Sequence, residues 1–396
     1  MRHLLFSYHT CPFEEPGAGL AGGMNIFLRG LLAGISRRRI ETDVLTRGTG
    51  NRVEVSRPAP GLRILHLPCG WSHPPTRAGA LSSLPRFIES ARGLLAEEGS
   101  PYRIVSAHYW MSGSAARALF RETGRTLPIV FAYHTVEARK GEAPGAVPGG
   151  LPAARRSEEE AISREADRIV CFTAEDLSQT ERIFPAVSGK GEVIPPGVDD
   201  AFRHPPSREE GRRRLGISPR AFLLLLAARP DPGKQIPEAV SAVFSLRRDV
   251  QADILLLVVG QGPPAEGTPE GVRYLGPVPH AEMPALYSAA DAVLCPSLYE
   301  SFGFVPLEAM ASGVPVAVPE SGYWGARVAV GGGGIAYPAG APGGLARAIG
   351  SLYRDEQARR RMAEEGRRIA AEFTWERCTE SWAALLSSSA RSGSRR

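Results

Sequence analysis

The chain has 396 residues, of which 43% are hydrophobic, and this length and composition predict two globular domains rather than a disordered protein. The formal charge of +5 is small for the length and the basic residues are dispersed, which argues against nucleic-acid binding. No apolar run reaches the length of a transmembrane helix, so we expect no stable membrane insertion. The five cysteines include no CxxC pair, and the first residues resemble a strand rather than a signal peptide, so we expect a reduced, cytoplasmic protein.

The first half of the chain alternates strand and helix patterns. Six or seven strands of one parallel sheet are predicted at residues 3–8, 43–47, 63–67, 102–107, 129–135, 168–172 and 192–198. A helix is predicted after Gly22 and Gly23. A glycine pair before a helix lets the backbone approach a diphosphate closely, although the pair could also form only a tight turn.

The same loop contains a second glycine pattern. Gly17, Gly19 and Gly22 match the GxGxxG dinucleotide fingerprint, which keeps an NAD(P)-dependent oxidoreductase as an alternative function. However, the fingerprint should follow the strand immediately, and here several residues intervene. The second strand should also end in an acidic residue, where this chain has Arg47.

Polar residues stand at several predicted strand ends. One strand continues into HYWMSG at residues 108–113, and another ends at His134 and Thr135. Because the carboxyl ends of parallel strands meet at one edge of a sheet, these residues are candidates for ligand binding, whereas a lone histidine there would be structural. The proline- and glycine-rich segment 141–150 predicts a lid over a substrate, and Arg155 opens the next helix.

The proline-rich segment 193–206 predicts a linker, after which six further strands alternate with helices. This repetition predicts an α/β protein with two doubly wound, Rossmann-like domains facing a cleft, the first over residues 1–200 and the second over residues 201–375. The serine- and arginine-rich residues 387–396 predict a disordered tail.

Segment 290–313, ADAVLCPSLYESFGFVPLEAMASG, predicts a buried strand, a loop and a helix in succession. Pro306 suits the first helical position and Gly313 suits the helix end. Glu300 in the loop and Glu308 in the first turn stand near the unpaired N–H groups of the helix start, which attract anions. A nucleotide-sugar carries both phosphates and vicinal hydroxyls and would use both features, although Glu308 alone could serve only the helix dipole.

With its flanks, this segment resembles the E-x7-E signature of the retaining glycosyltransferases of family 4, which have the GT-B fold. The resemblance extends over nearly the whole chain. It implies an N-terminal acceptor-binding domain and a C-terminal nucleotide-sugar-binding domain. It also implies a C-terminal helix, here residues 376–390, that packs back on the first domain.

The resemblance also implies roles for individual residues. Arg229 and Lys234 correspond to an R-x4-K pair that neutralises the departing diphosphate, although alone they would be taken for solvated surface charge. Glu308 would hold the ribose hydroxyls and Glu300 a hydroxyl of the transferred sugar. The implied catalytic residues are His134, Glu300, Arg229 and Lys234. The implied donor-binding residues are Gly22, Gly23, Arg229, Lys234, Val278, Glu300, Ser301, Phe302, Gly303, Phe304, Val305 and Glu308.

The family's usual reaction needs no metal ion and no cofactor besides the nucleotide-sugar. The diphosphate departs and takes the acceptor's proton on the same face of the sugar, with His134 orienting the donor sugar and the acceptor hydroxyl. The sequence has no D-x-D metal motif, in agreement with this expectation. A retaining glycosidase would need two carboxylates about 5–5.5 Å apart and would have no use for the cationic pair.

In the first half, GGMN, HYWMSG, HT and Arg155 resemble the mycothiol-pathway transferases, which join N-acetylglucosamine to inositol phosphate. This resemblance implies an acceptor-phosphate site that consists of Asn25, Tyr109, Thr135 and Arg155, with Arg77 in place of a lysine. Two segments depart from the pattern, VEARKGEAPGAV after His134, which carries an extra glutamate, and ESGYWGARVAVGGGG after the E-x7-E helix. Related transferases of aminocyclitols in antibiotic assembly and of other natural products therefore stay open.

We therefore expect a transferase that moves a sugar from a UDP-N-acetylglucosamine-like donor or a GDP-sugar to a cyclitol, an aminocyclitol or a natural-product intermediate. The alternatives are the oxidoreductase and a glycosyltransferase with a lipid or polysaccharide acceptor. A non-catalytic binder of nucleic acid or membrane surfaces is suggested by the pI of 9.1 and the arginines at 37–39, but cations are favoured at a helix end in any case. The sequence leaves open whether the protein forms a homodimer.

Overall fold

The structure is a computed structural model and describes all residues except 18, 71–76, 98, 100, 123–126, 143–151, 261, 264–266 and 394–396. Its strands are β1 (Arg2–Phe6), β2 (Glu41–Gly48), β3 (Glu54–Ala59), β4 (Leu62–Pro68), β5 (Ile104–His108), β6 (Ile129–Ala132), β7 (Arg168–Cys171), β8 (Gly191–Val193), β9 (Phe222–Ala227), β10 (Ile254–Val259), β11 (Val272–Gly276), β12 (Ala292–Leu294), β13 (Val316–Pro319) and β14 (Gly334–Tyr337).

Its helices are α1 (Gly23–Arg37), α2 (Arg77–Ser82), α3 (Leu84–Glu97), α4 (Trp110–Glu122), α5 (Glu137–Glu142), α6 (Pro152–Glu165), α7 (Ala174–Ile183), α8 (Asp200–Arg203), α9 (Arg208–Leu215), α10 (Ile236–Val250), α11 (Met283–Ala289), α12 (Phe304–Ala311), α13 (Tyr323–Gly331), α14 (Gly344–Arg354), α15 (Glu356–Ala371) and α16 (Trp375–Gly393). Short 3-10 turns lie at Pro185–Val187, Pro232–Lys234 and His280–Glu282.

The chain divides into two compact units. Unit 1 comprises Met1–Ala138, Gly149–Gly197 and Trp375–Arg396, and unit 2 comprises Arg139–Pro148 and Val198–Thr374. The second segment of unit 1 ends at Gly197, three residues before residue 200, where the first domain was predicted to end.

Unit 1 contains an eight-stranded sheet in the order β3-β4-β2-β1-β5-β6-β7-β8. Its strands are parallel except β3, which runs antiparallel to β4 at one edge. Strand β1 lies between β2 and β5, so the direction in which the chain adds strands reverses beside β1. The seven parallel strands agree with the prediction of six or seven, but the prediction omits the antiparallel strand β3. Nearly all of β3 is exposed, so it shows no alternation of apolar and polar residues that the sequence could reveal.

The core of unit 1 is formed around strands that are buried on both faces, as expected for a parallel sheet. Leu4 and Phe6 point to the same face of β1 and pack in one core with Phe87 of α3 and Leu119 of α4. Helix α1 packs against α16, where the ring of Phe27 lies 6.0 Å from that of Trp382.

Helix α16 continues to Gly393, so the prediction of a disordered tail from residue 387 is wrong for residues 387–393. The reason is that one face of the helix stays buried beyond Leu386, since Ser389 is only 5% exposed. A serine-rich segment has a weak helical pattern, but packing of one face stabilises it.

Unit 2 contains a six-stranded sheet in the order β11-β10-β9-β12-β13-β14, and every pair of neighbours is parallel. These are the six strands that the sequence predicts after the linker. Strand β9, FLLLLA, is buried over nearly its whole length. The chain adds β10 and β11 on one side of β9 and then β12, β13 and β14 on the other. The order of strands therefore reverses between β9 and β12, which in such sheets is where ligands bind.

The contact between α1 and α16 depends on two glycines of α1. A β-carbon at Gly34 would overlap the side chain of Thr379, and one at Gly30 would overlap the ring of Trp375. We expect Gly34→Ala to lower the free energy of unfolding by about 1–3 kcal/mol, because α16 must shift to admit the methyl group. Urea unfolding measures this change.

Gly93→Ala in α3 is the matched control, since a β-carbon there has nothing within 4 Å. Alanine is the better helix former, so this variant is expected to be neutral or more stable by up to about 1 kcal/mol. Equal losses for Gly34→Ala and Gly93→Ala would contradict the packing argument.

Candidate active site

The predicted donor residues of unit 2 lie in loops that follow neighbouring strands. Arg229 and Lys234 follow β9, and Glu300 follows β12, which pairs with β9. The backbone N–H of Leu298 donates to the carbonyl of Gly233 at 3.0 Å, which holds the two loops together. The R-x4-K and E-x7-E segments are therefore brought together where the strand order reverses.

The side chains of Lys234 and Glu300 form an ion pair between these loops. Both remain accessible, with 25% of the Lys234 side chain and 37% of the Glu300 side chain exposed. An exposed pair of this kind contributes little to stability, about 0–1 kcal/mol. It can therefore open at little cost when a ligand offers another partner to either group.

Glu308 lies in a different environment. It is 3% exposed, and its two carboxylate oxygens have separate partners. Nε2 of His280 lies 2.7 Å from Oε1, and the hydroxyl of Tyr287 donates to Oε2 at 2.9 Å. Burial and the adjacent Glu308 carboxylate raise the pKa of Tyr287 well above its ordinary value, so Tyr287 stays a hydrogen-bond donor.

The loop between Glu300 and Glu308 is shaped by Gly303, which has a φ of +88°. Its carbonyl accepts a hydrogen bond from Nε1 of Trp324 at 2.9 Å, and a β-carbon at Gly303 would lie 3.0 Å from the Trp324 ring. Phe302 is buried among Trp324 and Phe373. The YWG segment that departs from the expected pattern thus packs on the loop between Glu300 and Glu308.

Helix α12 begins at Phe304 and not at Pro306, so the predicted helix start is wrong by two residues. Pro306 is the third residue of the helix, where a missing N–H is tolerated because the first four N–H groups have no intrahelical partner. Glu308 is consequently the fifth residue and lies beyond the first turn. Ser301 lies in the preceding loop, and Val278 is partly buried in the loop after β11.

In unit 1, His134 lies two residues after the end of β6, with a φ of +60°, and Tyr109 directly follows β5 with a φ of +73°. Non-glycine residues rarely adopt such backbone angles, which cluster at functional sites. Nε2 of His134 lies 3.0 Å from Nδ1 of His108, and both rings pack near Phe27. Burial lowers the pKa of His134 to about 3, so this imidazole is neutral near pH 7.

Arg155 organises the other predicted acceptor residues of unit 1. Its Nη1 donates to the hydroxyl of Tyr109 at 3.1 Å, and its Nη2 donates to the hydroxyl of Thr135 at 3.0 Å. It also forms ion pairs with Glu137 at 2.9 Å and Glu159 at 2.7 Å. Three of the predicted acceptor residues therefore share one cluster.

Asn25 serves the loop before α1. Its amide nitrogen donates to Cys11 O at 2.7 Å and to Thr10 Oγ1 at 3.1 Å, and its amide oxygen accepts from the N–H of Gly22 at 3.0 Å. Asn25 is fully buried, so its described contacts are structural. Gly22 is extended, with a φ of −174°, and Gly23 begins α1.

The GxGxxG match does not form a direct turn from β1 into α1. Strand β1 ends at Phe6, and α1 begins only at Gly23. Arg47, at the end of β2, donates to the carbonyl of His9 and forms an ion pair with Glu14. It therefore stabilises the intervening loop.

Two predicted features lie outside the described residues. The side chain of Arg77 is not described, although its backbone begins α2. The predicted lid at 141–150 is described only for the backbone of its first two residues, which end α5.

Several residues that contact the predicted ones were not themselves predicted as site residues. They are Glu137, Glu159, His280 and Tyr287. Glu159 stands four residues after Arg155, and that helical spacing could have revealed the pair. The others meet their partners only through the fold, as with Tyr287 and Glu308, which are 21 residues apart.

Comparisons with known proteins place this geometry in a family. The model of Glycosyltransferase Family 4 matches residues 21–202, and that of Glycosyl transferases group 1 matches residues 207–369. A D-inositol 3-phosphate glycosyltransferase of Nocardia farcinica is 32% identical over 407 residues, which cover 97% of this chain and 90% of that protein. The chain belongs to the family 4 glycosyltransferases.

Solved structures support the fold of this glycosyltransferase. Sucrose-phosphate synthase from Thermosynechococcus elongatus superposes with a TM-score of 0.84 at 26% identity, covering 97% of this chain and 98% of that one. Anabaena Alr3699/HepE in complex with UDP and glucose has a TM-score of 0.71 at 18% identity and covers 98% of this chain and 100% of that one. The predicted GT-B class, with two α/β units, is confirmed.

Two further features concern the described part of the glycosyltransferase. None of its described helices is both long and apolar enough to span a membrane. Its described His, Cys, Asp and Glu side chains form no group of three that could hold a metal ion.

The hydroxyl of Tyr287 provides a test of how Glu308 is held. Tyr287→Phe removes one donor from a buried carboxylate, and a hydrogen bond to a charged group is worth about 1.5–3 kcal/mol. We expect a loss of that size in urea unfolding. Tyr353→Phe is the control, because the Tyr353 ring packs on Phe222 in the same unit. A Tyr287→Phe variant as stable as Tyr353→Phe would show that the hydroxyl does not stabilise Glu308.

Buried histidines of unit 1 predict acid sensitivity. Burial lowers the pKa of His3 and of His134 to about 3, and burial with two neighbouring histidines lowers the pKa of His108 well below its ordinary value. Below about pH 6.5 the unfolded chain binds protons that the folded protein excludes, so stability falls as the pH falls from 6.5 towards 3. Each histidine contributes up to about 1.4 kcal/mol per pH unit.

The test is urea unfolding between pH 7 and pH 5. His3→Asn should flatten the acid-side decrease by the share of one histidine, whereas exposed His204→Asn should leave the slope unchanged. Identical slopes for the two variants would refute a contribution from His3.

Proposed function

We propose that this glycosyltransferase moves a sugar from a nucleotide-sugar to a small polar acceptor of the cyclitol class, with retention of configuration and without a metal ion or cofactor. UDP-N-acetylglucosamine-like and GDP-linked sugars are the donors that we expect. The contact between the loops of Lys234 and Glu300, at the point where the strand order reverses, carries the proposal. This is the place in a doubly wound sheet where nucleotides bind.

Negative charge develops on the departing diphosphate, and unit 2 offers groups that stabilise it. Lys234 and Arg229 follow β9, and the first N–H groups of α12 have no intrahelical partner. Prearranged donors at the place where charge develops lower the barrier. In this proposal Lys234 exchanges its ion pair with Glu300 for the diphosphate, which leaves the Glu300 carboxylate to accept from a sugar hydroxyl.

Glu308 is proposed to hold the ribose hydroxyls. An ionised carboxylate offers about four acceptor positions on its two oxygens. His280 occupies one position on Oε1, and Tyr287 occupies one position on Oε2. Among the described contacts, one position on each oxygen is left, which suits two vicinal hydroxyls.

The proposed acceptor class is based on the names of the relatives and on the residues of unit 1. The relatives are named D-inositol 3-phosphate glycosyltransferases, so a cyclitol ring is the acceptor we propose. The hydroxyls of Tyr109 and Thr135 would contact it. For His134 we propose the orientation of the donor sugar and the acceptor hydroxyl, for which a neutral imidazole can both donate and accept a hydrogen bond.

The donor chemistry is tested first by a screen that measures UDP or GDP release across nucleotide-sugars, with hydrolysis subtracted. With the best donor, Lys234→Ala is expected to lower kcat roughly tenfold to hundredfold, which corresponds to about 1.5–3 kcal/mol for one charge-assisted hydrogen bond. Arg214→Ala is the control, because Arg214 also forms an exposed ion pair with a glutamate. Equal turnover by the two variants would overturn the proposal for Lys234.

Retention of the anomeric configuration is tested separately from the turnover rate. Proton NMR of the first product gives the anomeric configuration, which we expect to match that of the donor. An inverted product would rule out the same-face mechanism while leaving the donor assignment intact.

A further inference from the structure

The guanidinium group of Arg155 is fully engaged by the protein. A guanidinium has five N–H donors. Nε donates to Glu159 at 2.7 Å, Nη2 donates to the carbonyl of Thr135 at 2.7 Å and to its hydroxyl at 3.0 Å, and Nη1 donates to the hydroxyl of Tyr109 at 3.1 Å. Nη1 also forms an ion pair with Oε2 of Glu137 at 2.9 Å. Four hydrogen bonds and two ion pairs therefore involve all three nitrogens of the guanidinium.

The charge of Arg155 is also compensated. Two carboxylates pair with one cation, and both the arginine and Glu159 are buried, with 6% and 0% of their side chains exposed. Burial opposes the charged form of Arg155, but Tyr109, Glu159 and Glu137 together raise its pKa above the ordinary value. The cation is thus permanent and already neutralised. A phosphate at this position would have to displace Glu137 or lie beside its negative charge.

A second residue expected at the acceptor phosphate is equally occupied. The amide of Asn25 is buried and bonded to Cys11, Thr10 and Gly22. Two of the expected phosphate ligands, Asn25 and Arg155, therefore hold other parts of the protein.

We propose that the acceptor of this enzyme is a polyol without a phosphate group, and that Glu137 is the residue that excludes the phosphate. This inference rests on the proposed function and narrows its acceptor class, since relatives are named for a phosphorylated inositol. Among the described side chains of this cluster, the groups left to recognise a ligand are the hydroxyls of Tyr109 and Thr135 and the carboxylate of Glu137, which is 18% exposed. The two hydroxyls suit any hydrogen-bonding group, whereas the Glu137 carboxylate accepts from a hydroxyl or an ammonium group and repels a phosphate.

The position of Glu137 explains its effect on Arg155. Its backbone N–H donates to Oε2 of Glu159 at 3.0 Å, which anchors the start of α5 to α6. Its side chain reaches Arg155 from that anchored position. Removing the Glu137 side chain takes a carboxylate away from Nη1 and removes one unit of negative charge, while Glu159 still pairs with Arg155. The backbone contact of residue 137 remains.

The test measures binding without a donor, so it does not depend on catalysis. Calorimetry compares D-inositol 3-phosphate with myo-inositol and with an inositol in which an amine replaces one hydroxyl. Glu137→Ala is expected to raise the affinity for D-inositol 3-phosphate roughly tenfold to hundredfold over the wild type, because a freed guanidinium donor makes a charge-assisted hydrogen bond to phosphate. Affinity for the unphosphorylated polyols should not rise in parallel.

Glu137→Gln keeps the shape of the side chain and should shift the preference in the same direction. Glu160→Ala is the matched control, since Glu160 lies on α6 and pairs with exposed Arg164. Unchanged affinity for D-inositol 3-phosphate in both Glu137 variants, or a wild type that prefers it to the free polyols, would overturn the inference.

Turnover then separates this inference from the proposed function. Wild-type enzyme with its best donor should glycosylate an unphosphorylated polyol with a higher kcat/KM than D-inositol 3-phosphate, and Glu137→Ala should narrow that ratio. Absence of transfer to every polyol would count against the proposed reaction. The order of affinities would still decide whether Glu137 excludes phosphate.

Discussion

The structure of unit 2 depends on one topological constraint, the reversal of strand order between β9 and β12. Neighbouring parallel strands whose connections run to opposite sides leave a gap between their loops at the carboxyl edge. Here that gap holds Lys234 on one loop and Glu300 on the other, and the hydrogen bond from Leu298 to Gly233 fixes their separation. Charged side chains 66 residues apart thus meet because two buried strands pair.

The strand order of unit 1 also reverses, and the reversal lies beside β1. The N–H of Tyr8, after β1, donates to Ser112 at 2.9 Å, and the ring of His9 packs 4.5 Å from that of Tyr109 after β5. The backbone angles of Tyr109 and His134 are those that proteins keep when surrounding contacts enforce them. Aromatic packing around His134 also removes water, which is the cause of its lowered pKa.

Local sequence patterns were enough to predict much of the fold and most of the residues proposed to bind the donor. Buried parallel strands such as β9 are continuous apolar runs, and the strand, loop and helix around Glu300 can be read from proline, glycine and apolar positions. The exposed strand β3 and the last turns of α16 could not be predicted, because neither has its own strong pattern and both depend on a neighbour. The partners of Glu308 were missed for a related reason, since the contact of Tyr287 with Glu308 exists only in the folded unit.

The two units differ in what their cations can still do. Lys234 has three N–H donors on a flexible stem, and its ion pair with Glu300 is partly exposed, so exchange with a ligand costs little. Arg155 is buried with four hydrogen bonds and two ion pairs, so a new anion must displace a carboxylate that already pairs with it. Sequence similarity treats both as anion-binding residues, but the number of uncommitted donors decides which one can bind an anion. By that criterion we propose that the diphosphate binds at Lys234 and that Arg155 positions its neighbours around an uncharged or cationic group.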